Sequence, residues 1–336
     1  MVKSVAEREN SHNIVWTEKY RPSSLKEFIG QKETVSRLEA LVKSGSIPHL
    51  LFSGPPGVGK TTAAVAIARE LFGKDKWKEN FLETNASDER GIDVVRVKIK
   101  NFARTLPVGG GAYRIIFLDE CDALTRDAQN ALRRTMEKYS GTCRFILSCN
   151  YVNKIIDPIQ SRCATFRFRA LKEEDVRKYV ERVSEGEGLK LDESAVGAIA
   201  KLSEGDLRFA TNILQGASVG EKKITEKHVY SVARMLAPEK VIKVLELSAV
   251  EGRFSDARIL LGEAVIEDAL SGEEIIRAFH REVFSLKIPE KRKMAIVALL
   301  SEYSFRLLSG ANERIQLDGL LAEISALGAL GERDSK

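Results

Sequence analysis

The stretch Gly54-Pro55-Pro56-Gly57-Val58-Gly59-Lys60-Thr61 decides how the first half of the chain folds. It fits the pattern GxxxxGK[ST], follows the apolar run His49 to Ser53 and precedes the helix-forming run Thr62 to Leu71. A strand, a glycine-rich turn and a helix in this order favour an α/β domain with the turn at the carboxyl edge of its sheet. We therefore predict a phosphate-binding loop at this turn.

The chemistry of such a loop follows from its residue types. Glycines let the backbone fold so tightly that its N–H groups point at phosphate oxygens, and the helix N-terminus adds a favourable dipole. Lys60 is expected to contact the β- and γ-phosphates, and the Thr61 hydroxyl to ligate Mg²⁺. The alternative is a chance match in a glycine-rich turn, but chance would not also place a strand before the match and a helix after it. The predicted nucleotide-binding residues here are Gly54, Pro55, Pro56, Gly57, Val58, Gly59, Lys60, Thr61 and Thr62.

Two carboxylates follow a second apolar strand. The run 115–118 (Ile-Ile-Phe-Leu) ends in Asp119 and Glu120, at the sheet edge where ligands of open α/β folds bind. Asp119 is expected to hold Mg²⁺ through water, and Glu120 to polarise the attacking water as a general base. Acidic residues at a strand end can also form a solvated turn, but their position after a phosphate loop favours the catalytic interpretation.

Secondary-structure patterns divide the chain into three parts. The first 165 residues alternate short β-rich runs with helical patterns, as is typical of a parallel sheet covered on both faces. From about residue 171 helical periodicity takes over. We predict an α/β domain over residues 1–169, an all-α lid over 170–236 and an all-α domain over 237–336. The predicted strands are His49 to Ser53, Phe81 to Asn85, Arg114 to Glu120, Arg144 to Asn150 and Cys163 to Phe168.

The terminal part, which begins near Ala237 and Pro238, contains no polar constellation suited to chemistry, so we expect it to pack. Ser271 with Glu274 predicts a capping box at the start of a helix. The apolar face of that helix carries Ile275, Ile276, Phe279 and Val283. A second helix is predicted from the spacing of Met294, Val297, Leu300, Ser304 and Leu307.

Composition excludes some classes of protein. The 336 residues contain no apolar run near the roughly 20 residues that a bilayer span requires, so a membrane protein is excluded. Residues 1 to 13 lack the apolar stretch of a secretory signal, so we expect an intracellular protein. The net charge of +5 is too small to indicate nucleic acid by itself. Without CxxC spacing, four cysteines are predicted to be reduced packing residues: Cys121, Cys143, Cys149 and Cys163.

Further motifs occur in an order that is more specific than the phosphate loop. They are residues 16–22 (WTEKYRP), 85–92 (NASDERGI), 128–137 (AQNALRRTME), 148–150 (SCN) and 161–163 (SRC). Over almost the whole chain they resemble the small subunits of replication factor C, an AAA+ clamp-loader family, in an archaeal-like form. The resemblance implies an AAA+ domain, a helical lid and a helical collar. It also implies ATP and Mg²⁺ as cofactors, and ATP-dependent loading of a sliding clamp onto primed DNA during replication.

The resemblance implies roles for individual residues around the nucleotide. Val15, Tyr20 and Arg21 would lie near the adenine and the ribose. Asn150 resembles the polar sensor that orients the hydrolytic water beside Glu120.

Two arginines resemble residues that act on the γ-phosphate. Arg208 resembles the second sensor, which reaches from the lid to its own site, although Phe209 stands where many relatives have a second basic residue. Arg162 resembles the arginine finger that completes a neighbour's site, which implies an oligomer. The alternative for Arg162 is a surface arginine paired with an acid. The expected catalytic residues are Lys60, Glu120, Asn150 and Arg162.

A basic segment is the candidate for DNA binding. The segment from Arg90 to Leu106 is predicted to be a helix that packs on the sheet through Ile92, Val95, Ile99, Phe102 and Leu106. The cations Arg96, Lys100 and Arg104 recur every four residues and can follow phosphates along a strand without reading bases. A solvated helix face is the alternative, but the resemblance favours DNA and adds Arg90 and Lys154. We predict phosphate contacts only.

The resemblance also implies partners and a compartment. The partners are a large subunit and other small subunits in a pentamer, a sliding clamp that docks near Phe102, and primer-template DNA. The location would be the cytoplasm (nucleoid) of an archaeon or the nucleus of a eukaryote. Two alternatives stay open: a related AAA+ motor of the branch-migration helicase type, and a scaffold subunit that does not hydrolyse ATP. The sequence offers no winged-helix domain for the first, and the joint presence of Lys60, Glu120 and Asn150 argues against the second.

Overall fold

A computed structural model describes residues 15–87, 95–109, 111–233, 237–268 and 270–331, without the side chains of residues 74, 95, 96, 264–268, 330 and 331. The chain forms two compact units, Met1–Gln215 and Gly216–Lys336. The three domain ranges given above stay a prediction. Among the described helices, none is both long and apolar enough to cross a bilayer.

The first unit is built on a five-stranded parallel sheet, as predicted. The strands are His49–Ser53 (β1), Phe81–Asn85 (β2), Arg114–Asp119 (β3), Cys143–Cys149 (β4) and Cys163–Arg167 (β5). Their order in the sheet is β2-β3-β4-β1-β5. Strands β1 and β2 have the predicted bounds, β3 and β5 end one residue earlier than predicted, and β4 is shifted by one residue toward the N-terminus. Glu120, Asn150 and Phe168 therefore lie just past the ends of their strands.

Helices cover both faces of this sheet, because its central strands carry apolar side chains on both sides. Phe52, Phe117 and Ile146 pack with one helical layer, whereas Leu51, Leu118 and Leu147 pack with the other. Three of the four cysteines are buried packing residues, and all four are free thiols. The helices of this unit are Trp16–Lys19 (α1), Lys32–Lys43 (α2), Lys60–Asn80 (α3), Lys100–Arg104 (α4), Arg126–Lys138 (α5), Asp157–Gln160 (α6), Glu173–Glu187 (α7), Glu193–Ser203 (α8) and Leu207–Ala217 (α9).

The predicted helix from Arg90 to Leu106 is shorter and less regular than expected. Within the described residues, Val95–Ile99 forms a π-helical turn that continues into α4. Ile99 packs in the core as predicted, but Leu106 is 75% exposed, so its predicted packing on the sheet is wrong. The helix ends at Arg104 because Leu106 precedes Pro107, and a residue before proline disfavours the α conformation. Ile92 lies outside the described residues.

The second unit is a helical bundle with its own core. Ala237 is the N-cap residue of the helix Pro238–Leu245 (α11), and Pro238 occupies its first turn. The predicted lid range is not entirely helical, since it contains the two-residue strands Lys190–Leu191 (β6) and Lys223–Ile224 (β7). The helices of this unit are Glu226–Ala233 (α10), Pro238–Leu245 (α11), Phe254–Asp268 (α12), Gly272–Glu282 (α13), Glu290–Leu308 (α14) and Glu313–Gly331 (α15).

The capping box at Ser271 is present, with both of its reciprocal hydrogen bonds to Glu274. The predicted apolar face of α13 is buried in the bundle core. On α14, however, the core residues are Ile296, Leu300 and Tyr303, and Met294 is 67% exposed. The helix predicted from the spacing of Met294, Val297, Leu300, Ser304 and Leu307 is present as α14. A second apolar stripe, in which Met294, Phe305 and Leu308 are exposed, lies on the face of α14 opposite its core residues.

His49, the first residue of β1, is hydrogen-bonded to the neighbouring strand β4. Its Nδ1 accepts a hydrogen bond of 3.0 Å from the Phe145 N–H, which requires a neutral imidazole with its proton on Nε2. That proton is donated to the Met136 carbonyl. Burial, with the nearby Arg144 cation, lowers the pKa of His49 to about 4. The fold is therefore stabilised only while this side chain is uncharged.

We predict that acid weakens the first unit through His49. The unfolded chain takes up the proton near pH 6.5 and the folded chain only near pH 4, so stability is complete above 6.5 and falls as the pH drops through this window. Between pH 7 and pH 5 the loss is about 2 kcal/mol. Urea unfolding followed by fluorescence measures it in this unit, because both tryptophans, Trp16 and Trp77, belong to it. The His49→Gln variant should lack this part of the pH dependence, and an equal loss in the variant would contradict the assignment.

Candidate active site

A cavity of about 370 Å³ opens at the carboxyl edge of the sheet in the first unit. The phosphate loop and the start of α3 form one side of it, and the ends of β2, β3 and β4 contribute polar side chains. The N-terminal segment and helices α7 and α9 form the remaining walls. Every predicted group of reaction residues except the arginine finger thus meets in one cavity.

Two glycines of the phosphate loop lie so close to the surrounding protein that a side chain would not fit at either position. Gly54 has φ 151°, and a Cβ there would overlap the Phe168 carbonyl oxygen. Gly57 has φ 68°, and a Cβ there would overlap the carboxylate of Asp206. Leu207 N–H, in the first turn of α9, donates to the Gly57 carbonyl over 3.2 Å. Both glycines are therefore required by close approach as well as by backbone conformation.

Lys60 is almost fully buried at the base of the cavity, with 8% exposure. Its Nζ donates to the carbonyls of Gly54 and Pro55 over 2.6 and 2.7 Å, and to Asn150 Oδ1 over 3.0 Å. Burial lowers the pKa of Lys60, and the Asp119 carboxylate opposes that shift. The arrangement holds an ammonium group where phosphate oxygens of a nucleotide can replace carbonyl partners.

Thr61 and Asp119, predicted from distant parts of the sequence, are brought into contact. The Thr61 hydroxyl donates to Asp119 Oδ2 over 2.7 Å. Asp119 Oδ1 accepts a 3.0 Å hydrogen bond from the backbone N–H of Glu120. A hydroxyl and a carboxylate are hard oxygen donors, and Mg²⁺ is usually held by only one or two protein groups together with phosphates. These residues therefore fit the predicted metal ion.

Glu120 adopts a left-handed backbone conformation, with φ 50°. Such a conformation is uncommon for a residue with a side chain and is found preferentially at functional sites. It ends β3 and turns the chain so that Asp119 and Glu120 both line the cavity. The predicted metal ligand and the predicted general base are thus adjacent in sequence and in space.

The sensor residues lie on opposite walls. Asn150 directly follows β4, and its side-chain oxygen accepts from Lys60. Arg208 lines the cavity from α9, and its positive charge contributes to the lowered pKa of Lys60. Tyr20 and Arg21 also line the cavity, whereas Val15 is 56% exposed and lies outside the set of lining residues.

The N-terminal segment is hydrogen-bonded to helix α7. Lys19 Nζ and Tyr20 OH both donate to Glu187 Oε1, over 2.7 and 2.8 Å. Burial and the Glu187 carboxylate raise the pKa of Tyr20 above its usual range. A Cβ at Gly186 would overlap the Tyr20 hydroxyl, so this helix position must be small. The motif that the sequence singled out therefore joins the cavity wall to α7.

The sequence analysis missed several of the lining residues, among them Tyr179, Arg182 and Glu83. Tyr179 and Arg182 face the cavity from α7, and Glu83 faces it from β2. Glu83 keeps solvent contact, yet the surrounding protein desolvates it and raises its pKa, with Asp119 and Glu18 adding to the rise and Arg21 opposing it. No motif marks these positions. The three-residue spacing of Tyr179 and Arg182 indicates only that they share a helix face.

Arg162 lies at the amino edge of the sheet, opposite the edge that carries the cavity. It precedes β5, whose first residue pairs with His49 at the start of β1, whereas the phosphate loop follows the end of β1. Four steps along the strand separate the two levels by roughly 13 Å. Arg162 donates to Pro158 O over 2.7 Å and forms an ion pair of 2.6 Å with Glu137. Its side chain is 38% exposed and does not line its own cavity.

The candidate DNA-binding residues are only partly described. Lys100 and Arg104 are exposed and share a face of α4, as predicted. Lys154 is exposed, and its ammonium group lies 4.8 Å from the centre of the Tyr151 ring. Arg90 and the side chain of Arg96 lie outside the described residues. Their role in DNA binding stays a prediction.

We predict that Gly57→Ala damages the phosphate loop because its Cβ collides with Asp206. Gly45→Ala is the matched control, since Gly45 has nearly the same φ of 70° but open space where a Cβ would lie. Both variants suffer backbone strain of about 1 kcal/mol. Only Gly57→Ala should also lose affinity for a fluorescent nucleotide, by at least about tenfold. Equal losses in the two variants would show that strain alone accounts for the effect.

Solved structures resemble the chain in fold. The Thermotoga maritima RuvB Holliday junction branch migration motor matches with a TM-score of 0.53 at 22% identity, over 73% of this chain and 87% of that chain. At this level of identity the likeness shows the fold alone.

Family models and curated relatives are more specific. Residues 50–171 match the model of the ATPase family associated with various cellular activities (AAA), and residues 237–323 match the replication factor C C-terminal domain. The replication factor C small subunit of Methanococcus vannielii is 54% identical, over 93% of this chain and 98% of that protein. That of Archaeoglobus fulgidus is 51% identical over the same shares. The chain therefore belongs to the family of replication factor C small subunits.

Proposed function

We propose that this chain is an ATP-hydrolysing small subunit of a clamp loader, which places a ring-shaped sliding clamp on primed DNA. The observation that carries the proposal is the likeness to replication factor C small subunits over 93% of the chain, including the C-terminal domain. The cavity supports it with most of the groups that ATP hydrolysis needs, among them Lys60, Glu120 and Asn150.

In the proposed reaction the loop N–H groups and Lys60 bind the β- and γ-phosphates of ATP. Thr61 and Asp119 would hold Mg²⁺, which neutralises charge on the phosphates. Glu120 takes a proton from the attacking water, and the Asn150 amide orients that water. Arg208 senses the γ-phosphate from α9, so that nucleotide state influences the lid.

The position of Arg162 supports action in a neighbouring subunit. The side chain lies at the amino edge of the sheet, too far along the strands to serve its own cavity. Its partner Glu137 also pairs with Arg133 over 3.0 Å, and all three groups retain solvent exposure. Exposed ion pairs contribute only about 0 to 1 kcal/mol, so a phosphate can compete for Arg162. We infer that ATP sits at subunit interfaces of a pentamer with a large subunit.

DNA is proposed to bind through backbone phosphates. Lys100 and Arg104 supply an exposed pair of cations on α4, and Lys154 supplies a third from the loop after β4. Arg90 and Arg96, predicted from the sequence, are proposed to add further phosphate contacts. Phosphate contacts give affinity without base specificity, which suits a protein that must act at any primer end.

Two exposed apolar surfaces fit the proposed protein partners. Leu106 and Val108, directly after α4, are 75% and 47% exposed and are proposed to contact the sliding clamp. On α14 the outer stripe of Met294, Phe305 and Leu308 is proposed to pack against neighbouring subunits, with residues 237–336 as the collar and 170–236 as the lid. Exposed apolar residues that share one surface mark sites of association.

The two alternatives make different demands. A branch-migration motor moves along DNA without a clamp, and only fold-level likeness favours it. A scaffold subunit binds nucleotide without turnover, and it needs neither Glu120 nor Asn150. The rate of ATP hydrolysis, measured with and without clamp and primed DNA, separates all three functions.

We predict that Glu120→Gln retains ATP binding but stops turnover. The substitution keeps the size of the side chain and removes the carboxylate that accepts the proton, so hydrolysis should fall at least about a hundredfold. Assembled complexes carrying the variant should bind ATP and clamp but fail to release loaded clamps on primed circular DNA. Glu33→Gln, at an exposed position of α2, is the control and should behave as the unaltered complex. Normal turnover in Glu120→Gln would refute the assignment of the base.

We predict that Arg162→Ala disables the site of the adjoining subunit. Hydrolysis in the assembled complex should fall about a thousandfold or more, because transition-state charge loses its partner. Arg177→Ala is the matched control, since Arg177 forms an ion pair of the same 2.6 Å length at 35% side-chain exposure.

Mixing variants distinguishes action in trans from action in cis. Subunits with Arg162→Ala keep an intact cavity, and subunits with Lys60→Ala keep an intact arginine finger. A complex assembled from both should regain hydrolysis at interfaces that join the two intact halves. A mixture as inactive as either parent would place Arg162 in its own subunit's reaction or outside the reaction altogether.

A further inference from the structure

Asp122 lies in the short turn Cys121–Ala123 that follows the two cavity carboxylates. Its Oδ1 accepts a hydrogen bond of 3.4 Å from the backbone N–H of Asn150, and its Oδ2 accepts one of 3.3 Å from the N–H of Tyr151. One carboxylate thus spans two consecutive amides. The turn after β3 is thereby joined to the loop after β4.

These two amides are the first beyond the end of β4. The pairing of β1 with β4 ends at Ser53 and Cys149, and the pairing of β3 with β4 ends at Leu118 and Leu147. Asp122 therefore supplies acceptors where the strand ladder has stopped, and backbone N–H groups need such partners. The local geometry of Asn150 depends on a side chain that comes from the catalytic turn.

Asn150 is held from three directions as a result. Its backbone N–H is bound by Asp122, and its side-chain oxygen is bound by Lys60 Nζ at 3.0 Å. The preceding carbonyl, that of Cys149, accepts a 3.2 Å hydrogen bond from Gly54 N–H in the phosphate loop. Only the first of these contacts originates in the turn that carries Glu120.

Asp122 acts from outside the cavity. Among the described residues that line it, Asp119, Glu120 and Asn150 are present and Asp122 is not. The carboxylate thus faces the backbone of the sensor loop, where it has no access to a reacting atom. Apart from the electrostatic effect of its charge on Lys60, an effect of Asp122 on chemistry passes through a residue that it holds.

We propose that Asp122 is a positioning residue for ATP hydrolysis, which aligns the side-chain amide of Asn150 with Glu120 by fixing the backbone after β4. The inference rests on the proposed function, in which Asn150 orients the water that Glu120 activates. Misplacement of a reacting group by about 1 Å can cost up to a hundredfold in rate, so weak bonds at this point have a large effect.

The substitution Asp122→Asn tests the role with little change in volume. Asparagine offers one acceptor oxygen and turns an NH₂ group toward an amide that also donates, so one of the two hydrogen bonds is lost. We expect kcat to fall about tenfold to a hundredfold while KM for ATP and the melting temperature stay close to those of the unaltered protein. Asp127→Asn, at an exposed acid in the first turn of α5, is the matched control and should leave kcat unchanged.

A double-mutant cycle with Asn150→Ala identifies the route of the effect. Hydrolysis is measured in the assembled complex for both single variants and for the double variant. If Asp122 acts through Asn150, then Asp122→Asn costs nothing further once Asn150 is alanine. Equal, additive losses in the two backgrounds would overturn the inference, and so would a loss of ATP affinity or of melting temperature that accounts for the whole effect.

The cycle also separates this inference from the proposed function. Normal turnover in Asn150→Ala would refute the sensor itself, and the role of Asp122 would fall with it. Slow turnover in Asn150→Ala together with normal turnover in Asp122→Asn would refute the positioning role alone.

Discussion

The close approach of the phosphate loop to its surroundings is the constraint on which the site depends. Gly54 lies against the Phe168 carbonyl and Gly57 against the Asp206 carboxylate, so the loop touches the sheet edge and the start of α9 at once. The hydrogen bond from Leu207 to Gly57 fixes that second contact. A ligand that expands the loop must therefore move α9 or bind the arrangement in which α9 already fits. This is the differential interaction that a nucleotide needs in order to shift a conformational equilibrium.

The parallel sheet has two edges with different chemistry, and this asymmetry bears on assembly. The carboxyl edge gathers Asp119, Glu120 and Asn150 with the phosphate loop, since parallel strands all end there. The amino edge carries Arg162 instead. One chain thus presents most of a reaction site at one edge and the predicted arginine finger at the other. In the proposed complex, two chains in head-to-tail contact would bring these edges together, which is the heterologous kind of interface that generates rings.

How much the sequence predicts depends on whether a feature is local. The five strands were predictable because buried parallel strands are continuous apolar runs, and the phosphate loop because its glycines follow from backbone geometry. Leu106 was placed wrongly because a helical period does not reveal where a helix ends. Tyr179 and Glu83 reach the cavity through tertiary packing, which leaves no local signal in the sequence.

The charges around the cavity favour the proposal that the arginine finger comes from another chain. Asp119 and Glu120 lie beside the place where phosphates bind, and Glu83 adds a third carboxylate whose pKa is already raised by burial and by Asp119. Lys60 and Arg208 oppose this negative charge, but the Arg208 cation also lowers the pKa of Lys60. A further permanent cation in the same cavity would add to that repulsion whenever the phosphates were absent. In the proposed complex, supplying Arg162 from a neighbour would avoid this cost, because its charge would be balanced by Glu137 until a nucleotide competed for it.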